Sequence, residues 1–302
     1  MKKNSIIALL IAMVAMSAQA QLLYKISGKG LTKPSYIIGT YHLADVKFVD
    51  SIPGLKKAMD ETTQVYGELD MSDMMSPENL MKMQAAMMLP EGQTLQGLLK
   101  ADQLERLNAG LKKIMGMDMS NPMISGQLGK MKPAALSTQL SVLLFMQKHQ
   151  GTFDPQNLFD QYFQKQALAA GKQVGGLETI DTQMKVLFDM QTLERQTETL
   201  MCFIDNMDYY EKMAEEISKA FYLQNIESID KTMNEKLNNS CDNRPEETDA
   251  LIANRNADWF AKMPAIMQEA PTFFAVGAGH LPGEKGVLAL LKKAGYKVEG
   301  MK

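Results

Sequence analysis

Tyr36-Ile37-Ile38-Gly39-Thr40-Tyr41-His42 and Phe273-Phe274-Ala275-Val276-Gly277-Ala278-Gly279-His280 are the two stretches on which the fold turns. Each is an apolar run of the kind found in a buried strand, followed by Gly-x-x-His. Gly39 and Gly277 let the backbone turn sharply where the strand leaves the sheet, so the histidine projects from the strand's carboxyl end. In open α/β sheets that end is where ligands bind. The chain has only three histidines, and two of them share this setting at positions 42 and 280. If the two strands are neighbours, both imidazoles reach one crevice.

Working outward, residues 22–26, 36–38 and 65–69 read as strands, with an amphipathic segment over 52–59, which gives a β-β-α-β opening. From Met71 to about Phe260 apolar residues recur three and four apart, interrupted by Gly and Pro. That is a helical middle, broken by an isolated strand over 174–177. Residues 272–276 read as a buried strand, 284–294 as a helix and 296–299 as a last strand. The fold class is therefore α/β (α+β): a central mixed sheet built from both chain ends, with a large helical insertion covering it. One domain over residues 21–302 is expected.

The strand Val65-Tyr66-Gly67-Glu68-Leu69-Asp70 puts a carboxylate, Glu68, where alternation would place an apolar residue, with Asp70 two positions on along the same face. His42, His280 and Glu68 together are two imidazoles and a carboxylate, a ligand set used for zinc and other divalent ions of the Mn or Co class. A bound water would then be the nucleophile. The plainer reading of Glu68 is a helix cap or a salt bridge. His149, after an apolar helix in Met146-Gln147-Lys148-His149, reads as a solvated helix end. Gly277-Ala278-Gly279 lacks the third glycine of a dinucleotide fingerprint, and no Gly-x-Ser-x-Gly elbow or phosphate loop occurs.

Residues 1–20 run from Lys2-Lys3 through an apolar stretch to Ser17-Ala18-Gln19-Ala20. This is the pattern of a cleaved secretory leader, too short in its apolar part for a membrane anchor. The expected product is exported, periplasmic or secreted, with no integral membrane segment in the mature chain. Removing the leader takes 2 of the 32 basic residues and none of the 35 acidic ones, so 30 − 35 leaves −5. That balance, with no basic cluster, argues against nucleic acid as a partner. In an oxidising compartment the two cysteines, Cys202 and Cys241, read as a disulfide before a zinc site or a nucleophile. The chain carries 26 methionines, seven of them between Met71 and Met88. The simplest reading is Met standing in for Leu in helix cores. An adaptable binding surface and a soft-metal site are the alternatives.

Five segments in order resemble the TraB/GumN family across about residues 22–302. They are Tyr36 to His42, Gly67-Glu68-Leu69-Asp70, Gly176-Leu177-Glu178-Thr179, Arg255-Asn256 within Ile252 to Trp259, and Val276 to Gly283. The family looks related to the Tiki metalloproteases, which cleave an amino-terminal peptide from Wnt proteins, and to erythromycin esterase-like and haem-binding ChaN-like folds. The resemblance implies His42 and His280 as the metal-centred pair with Glu68 as acidic partner. It also implies that Glu178, Arg255 and Asn256 line or brace the same cleft, Arg255 either as a clamp on substrate or as a buried ion pair with Glu178. Three functions follow: a divalent-metal hydrolase acting on a peptide or small-molecule substrate, a non-catalytic peptide- or haem-binding protein, and a metal-free esterase-like enzyme using His42 or His280 as general base. In the first, Glu68, Glu178 and Arg255 carry the catalysis.

Overall fold

The computed structural model describes residues 21–149, 154 and 156–302. The expected leader, residues 1–20, lies outside the described residues. Six strands form one mixed sheet: β1 (Leu23–Ser27), β2 (Ser35–Thr40), β3 (Gln64–Gly67), β4 (Gln173–Gly176), β5 (Thr272–Gly277) and β6 (Lys297–Gly300), in the order β4-β3-β5-β2-β1-β6. Strands β2, β3, β4 and β5 are mutually parallel, and β1 runs antiparallel to β2 and β6. Strands from both chain ends therefore share one sheet, as the apolar runs implied. The stretch read as an isolated strand over 174–177 is corrected: it pairs with β3 along its whole length and becomes the sheet's edge.

The two apolar runs lie side by side, with Ile37 opposite Phe274 and Thr40 opposite Gly277. Both strands are buried throughout or nearly so, because helices cover the two faces of the parallel part of the sheet. Fifteen helices are named among the described residues. They are α1 (Leu55–Glu61), α2 (Met71–Met74), α3 (Pro77–Ala86), α4 (Leu95–Leu98), α5 (Ala101–Met115), α6 (Pro122–Leu128), α7 (Pro133–Lys148), α8 (Phe159–Ala169), α9 (Ile180–Phe188), α10 (Leu193–Asp205), α11 (Met207–Tyr222), α12 (Ile226–Met233), α13 (Pro245–Thr248), α14 (Asn254–Glu269) and α15 (Val287–Lys293). A π-helical turn, Asp249–Ala253, joins α13 to α14. Two apolar clusters result. One gathers the sheet with Phe159 and Phe163 of α8, Phe221 of α11 and Trp259 of α14. The other is internal to the insertion, between α5, α6, α7 and α10.

Cys202 of α10 is bonded to Cys241, as expected, across a Cα–Cα distance of 5.5 Å. Two readings change. None of the seven methionines from Met71 to Met88 is buried, and Met75 and Met81 are 58% and 71% exposed. The core role falls instead to Met119, Met201, Met263 and Met267. Five of the seven are partly buried, because α2 and α3 pack on β4 and α9 at the protein's surface and not in its interior. His149, expected to be solvated, caps α7 with its ring stacked on Phe145 at 4.0 Å and its Nε2 2.9 Å from Glu215 Oε1.

Candidate active site

The parallel register aligns the carboxyl ends of β4, β3, β5 and β2, and everything chemically interesting follows those ends. The ladder continues past β3 and β4: Leu177 N–H donates to Gly67 O (3.0 Å) and Glu178 N–H to Glu68 O (2.9 Å). Glu68 and Glu178 are thereby set side by side. Gly176 permits this approach, since a Cβ there would lie 2.5 Å from the Asp70 backbone nitrogen. Asp70 turns away from the pair and caps α2 through the Ser72 N–H.

Arg255, in the first turn of α14, meets both carboxylates. Its Nη2 donates to Glu68 Oε2 (2.7 Å) and Glu178 Oε1 (2.5 Å), and its Nε to Glu178 Oε2 (3.0 Å). Trp259 Nε1 donates to the same Glu178 oxygen (3.1 Å), while the Trp259 ring lies under the guanidinium at 4.8 Å. Gln183 of α9 spans the pair, donating to Glu68 Oε2 (3.1 Å) and Glu178 Oε1 (2.9 Å). The Gly277 N–H donates to Glu68 Oε1 (2.8 Å). Of the two readings of Arg255, the ion pair with Glu178 is present, and Glu68 shares it. One buried carboxylate, Glu178, and one partly buried, Glu68, then share one guanidinium, which leaves a local charge of −1. Burial opposes ionisation of Glu68. The positive charge of Arg255, that of His280 whenever it is protonated, and the Gly277 N–H outweigh burial and hold its carboxyl below the usual value.

His280 sits in a short 3-10 turn after β5 and is buried. Asn256 fixes it: Oδ1 of Asn256 lies 2.7 Å from His280 Nδ1, and Nδ2 donates to His280 O (3.2 Å) and Lys285 O (2.9 Å). With its amide anchored by those two carbonyls, Asn256 presents an acceptor to Nδ1, so the proton belongs on Nδ1 and the lone pair on Nε2. Nε2 faces Arg255 Nη1 at 3.1 Å and stands 4.0 Å from Glu68 Oε1. Burial lowers the His280 pKa to about 4, so the ring is neutral near neutral pH.

His42 follows β2 on the facing side of the same cleft, with its side chain largely exposed. Its Nδ1 lies 3.0 Å from Asp160 Oδ1, a buried oxygen with no other polar partner among the described residues. That contact raises the His42 pKa to about 9, an effect that solvent at this exposed ring moderates. His42, Glu68, Arg255 and His280 all line one cleft of about 520 Å³, along with Gly277. Gly39 lies behind it, packed against Ala278 and Leu281.

Three residues of this centre were missed in the sequence. Asp160 lies in the first turn of α8, where an acid is ordinary helix chemistry, and Gln183 lies on the polar face of an amphipathic helix. Neither carried a signal. Trp259 is the chain's single tryptophan, beside the Arg255-Asn256 pair, and that was a signal available to be used.

Among the described residues no three His, Cys, Asp or Glu side chains are gathered closely enough to enclose a metal ion. His280 Nε2 accepts from Arg255 Nη1, so a divalent cation bound there would have to displace that contact; the rest of the donor chemistry fits such an ion. Both histidines have Nδ1 beside an oxygen acceptor, which is how ligating imidazoles are usually held, and the acidic cluster carries a spare negative charge. No helix among the described residues is long and apolar enough to cross a membrane.

Comparison with known proteins covers most of the chain. Metalloprotease TIKI2 of Danio rerio is 26% identical over 309 residues, covering 88% of this chain and 58% of its own. Metalloprotease TIKI1 of Homo sapiens is 26% identical over 310 residues, covering 88% and 59%. The metalloprotease TIKI homolog of Nematostella vectensis is 26% identical over 317 residues, covering 90% and 65%. The chain thus spans about three-fifths of the length of these relatives. No solved structure gives a significant match. The TraB/PrgY/gumN family profile matches residues 22–300, from β1 to the end of β6, so the chain belongs to the TraB/PrgY/gumN family.

Proposed function

We propose that the protein is a divalent-metal-dependent hydrolase of peptides, exported to a compartment where the Cys202–Cys241 bond persists. One observation carries the reading: two imidazoles, each with Nδ1 beside an oxygen acceptor, face one cleft from adjacent parallel strands, with Glu68 lining the same cleft 4.0 Å from His280. The metalloprotease names of the relatives support it. His42 Nε2, His280 Nε2 and Glu68 would hold the ion, whose chemistry when bound is to acidify water and polarise a carbonyl.

The remaining roles belong to the chain itself. Asp160 and Asn256 orient the two rings, and Gln183 and the Gly277 N–H fix the Glu68 carboxylate. Arg255 gives its N–H groups to Glu68, Glu178, Leu251 O and His280 Nε2, so it ties the two carboxylates and the His280 ring into one unit, with Glu178 holding the guanidinium in plane. The Asp160 carboxylate beside Nδ1 raises the proton affinity of His42, so ion binding there competes with protonation.

The test is metal analysis and peptide cleavage on the same sample, comparing wild type with His42→Ala/His280→Ala and with Glu68→Gln. About one divalent ion per chain is expected in wild type and a marked loss in the double variant. Glu68→Gln should retain the fold and lose on the order of 10² in rate or more. Equal, substoichiometric metal in wild type and double variant would refute the metal site. Metal-free turnover abolished by either single histidine change would favour the esterase-like reading, and peptide binding without turnover the non-catalytic one.

A further inference from the structure

Beside its polar groups the cleft has an apolar wall, formed by the i,i+4 pairs Met213 and Ile217 of α11 and Ile229 and Met233 of α12, with Leu187 of α9 and Ile252 of the π-helical turn. Leu187 and Met233 stay 41% and 42% exposed. A single exposed Leu or Met needs no explanation, but a contiguous apolar wall beside the reactive groups does. We propose that this wall is a subsite for one large apolar side chain, Leu, Met or Phe, of an extended peptide, next to the bond that is cut. The proposal rests on the peptide-hydrolase reading and adds the side-chain class.

Three observations carry it. The position is adjacent to the chemistry: Met233 packs over Gly279, where a Cβ would stand 2.6 Å from its sulfur, and His280 is the next residue. The six side chains of the wall carry no charge and no strong hydrogen-bonding group, so the wall itself offers a charged side chain no partner. A Lys or Asp entering it would be desolvated without compensation. Met213 and Met233 are unbranched and adaptable, so the wall can close on several apolar shapes rather than on one.

The test uses end-blocked pentapeptides Ala-Ala-X-Ala-Ala with X = Leu, Met, Phe, Asp or Lys. Binding is measured by NMR titration, and cleavage is followed in parallel by mass spectrometry. Wild type should bind the Leu, Met and Phe peptides at least about tenfold more tightly than the Asp and Lys peptides. Leu187→Lys, at an exposed position that tolerates the change, should lose that preference and gain affinity for X = Asp. Met233→Ser should weaken all three apolar peptides. Equal affinities across X, or a preference unchanged in both variants, overturns the subsite, as does the absence of any binding. Selective binding without cleavage leaves the subsite standing and removes the hydrolase reading, whereas cleavage without selectivity does the reverse.

Discussion

Reducing the Cys202–Cys241 bond should lower global stability while leaving the cleft intact, because a second device holds the same loop. The cysteines are 39 positions apart, and constraining a loop of that length in the unfolded chain is worth about 4 kcal/mol. For a chain of this size that corresponds to roughly 10 °C in Tm. The folded loop, however, is also gripped by Arg195 of α10. Its guanidinium donates to Ser240 O (2.6 Å) and Asp242 O (2.8 Å), on either side of Cys241, and makes a two-point pair with Glu247 of α13 (2.9 and 3.1 Å). Arg195 and Glu247 are both buried. Since α13 leads through the π-helical turn into Arg255, this grip positions the cationic end of the active centre.

Thermal melts with and without reductant, beside Arg195→Met, measure the two contributions separately. Hydrogen exchange over residues 240–256 reports on the loop. The reduced protein should melt about 10 °C lower with little change in exchange at Arg255. Arg195→Met leaves Glu247 buried and unpaired, costs about 3–5 kcal/mol, and should accelerate exchange from Ser240 through Arg255. A reduced protein that melts within a degree or two of the oxidised one, or that exchanges at Arg255 as fast as Arg195→Met, would refute the two-device account.

Two further outcomes are expected. Asn256→Ala strips His280 Nδ1 and two backbone carbonyls of their partner, so it should cost about 1–3 kcal/mol in Tm measurements and weaken divalent-ion binding by about 10–100-fold in calorimetric titrations. Unchanged ion affinity in a folded Asn256→Ala protein would sever Asn256 from the site. Glu247 supplies an acid-side prediction: burial works against its ionisation, but Arg195 and the Arg244 N–H hold its pKa below the ordinary 4.5. A depressed carboxyl contributes stability above 4.5 that is lost as pH falls towards its folded value. Arg195→Met removes that depression and leaves burial to raise the carboxyl, so the stability gap between wild type and Arg195→Met, read from circular dichroism melts, should narrow as pH falls below about 4.5; a gap that stays constant with pH would count against the pair.

The sheet was legible because its signals are local. An apolar run of four or five residues ending in glycine says strand and strand end with no knowledge of the partner, and that sufficed to place His42, Glu68 and His280 at carboxyl ends. What was not legible depends on long-range packing. Val174 looked isolated because its partner, Val65, is more than a hundred residues away. The methionines from Met71 to Met88 looked like core because helical spacing records amphipathicity and not what lies opposite. Asp160 and Gln183 reach the centre only because α8 and α9 dock beside β3, and nothing in a single polar residue on a helix announces that.

The same distinction explains why the centre is built on register rather than on loops. Thr40 opposite Gly277, and Gly67 opposite both Ala275 and Gly176, align four strand ends, and the ladder bonds from Leu177 and Glu178 extend that alignment beyond the strands. A slip of one residue in β3 would turn Glu68 to the opposite face and bring Gly67 or Leu69 towards Arg255. The buried guanidinium would then lose one carboxylate and gain an apolar neighbour, a penalty of several kcal/mol in order of magnitude. The ion cluster thus selects the register that sets Glu68 beside His280. A buried charge network of doubtful net value to stability is well suited to specifying which arrangement of the strands is the native one.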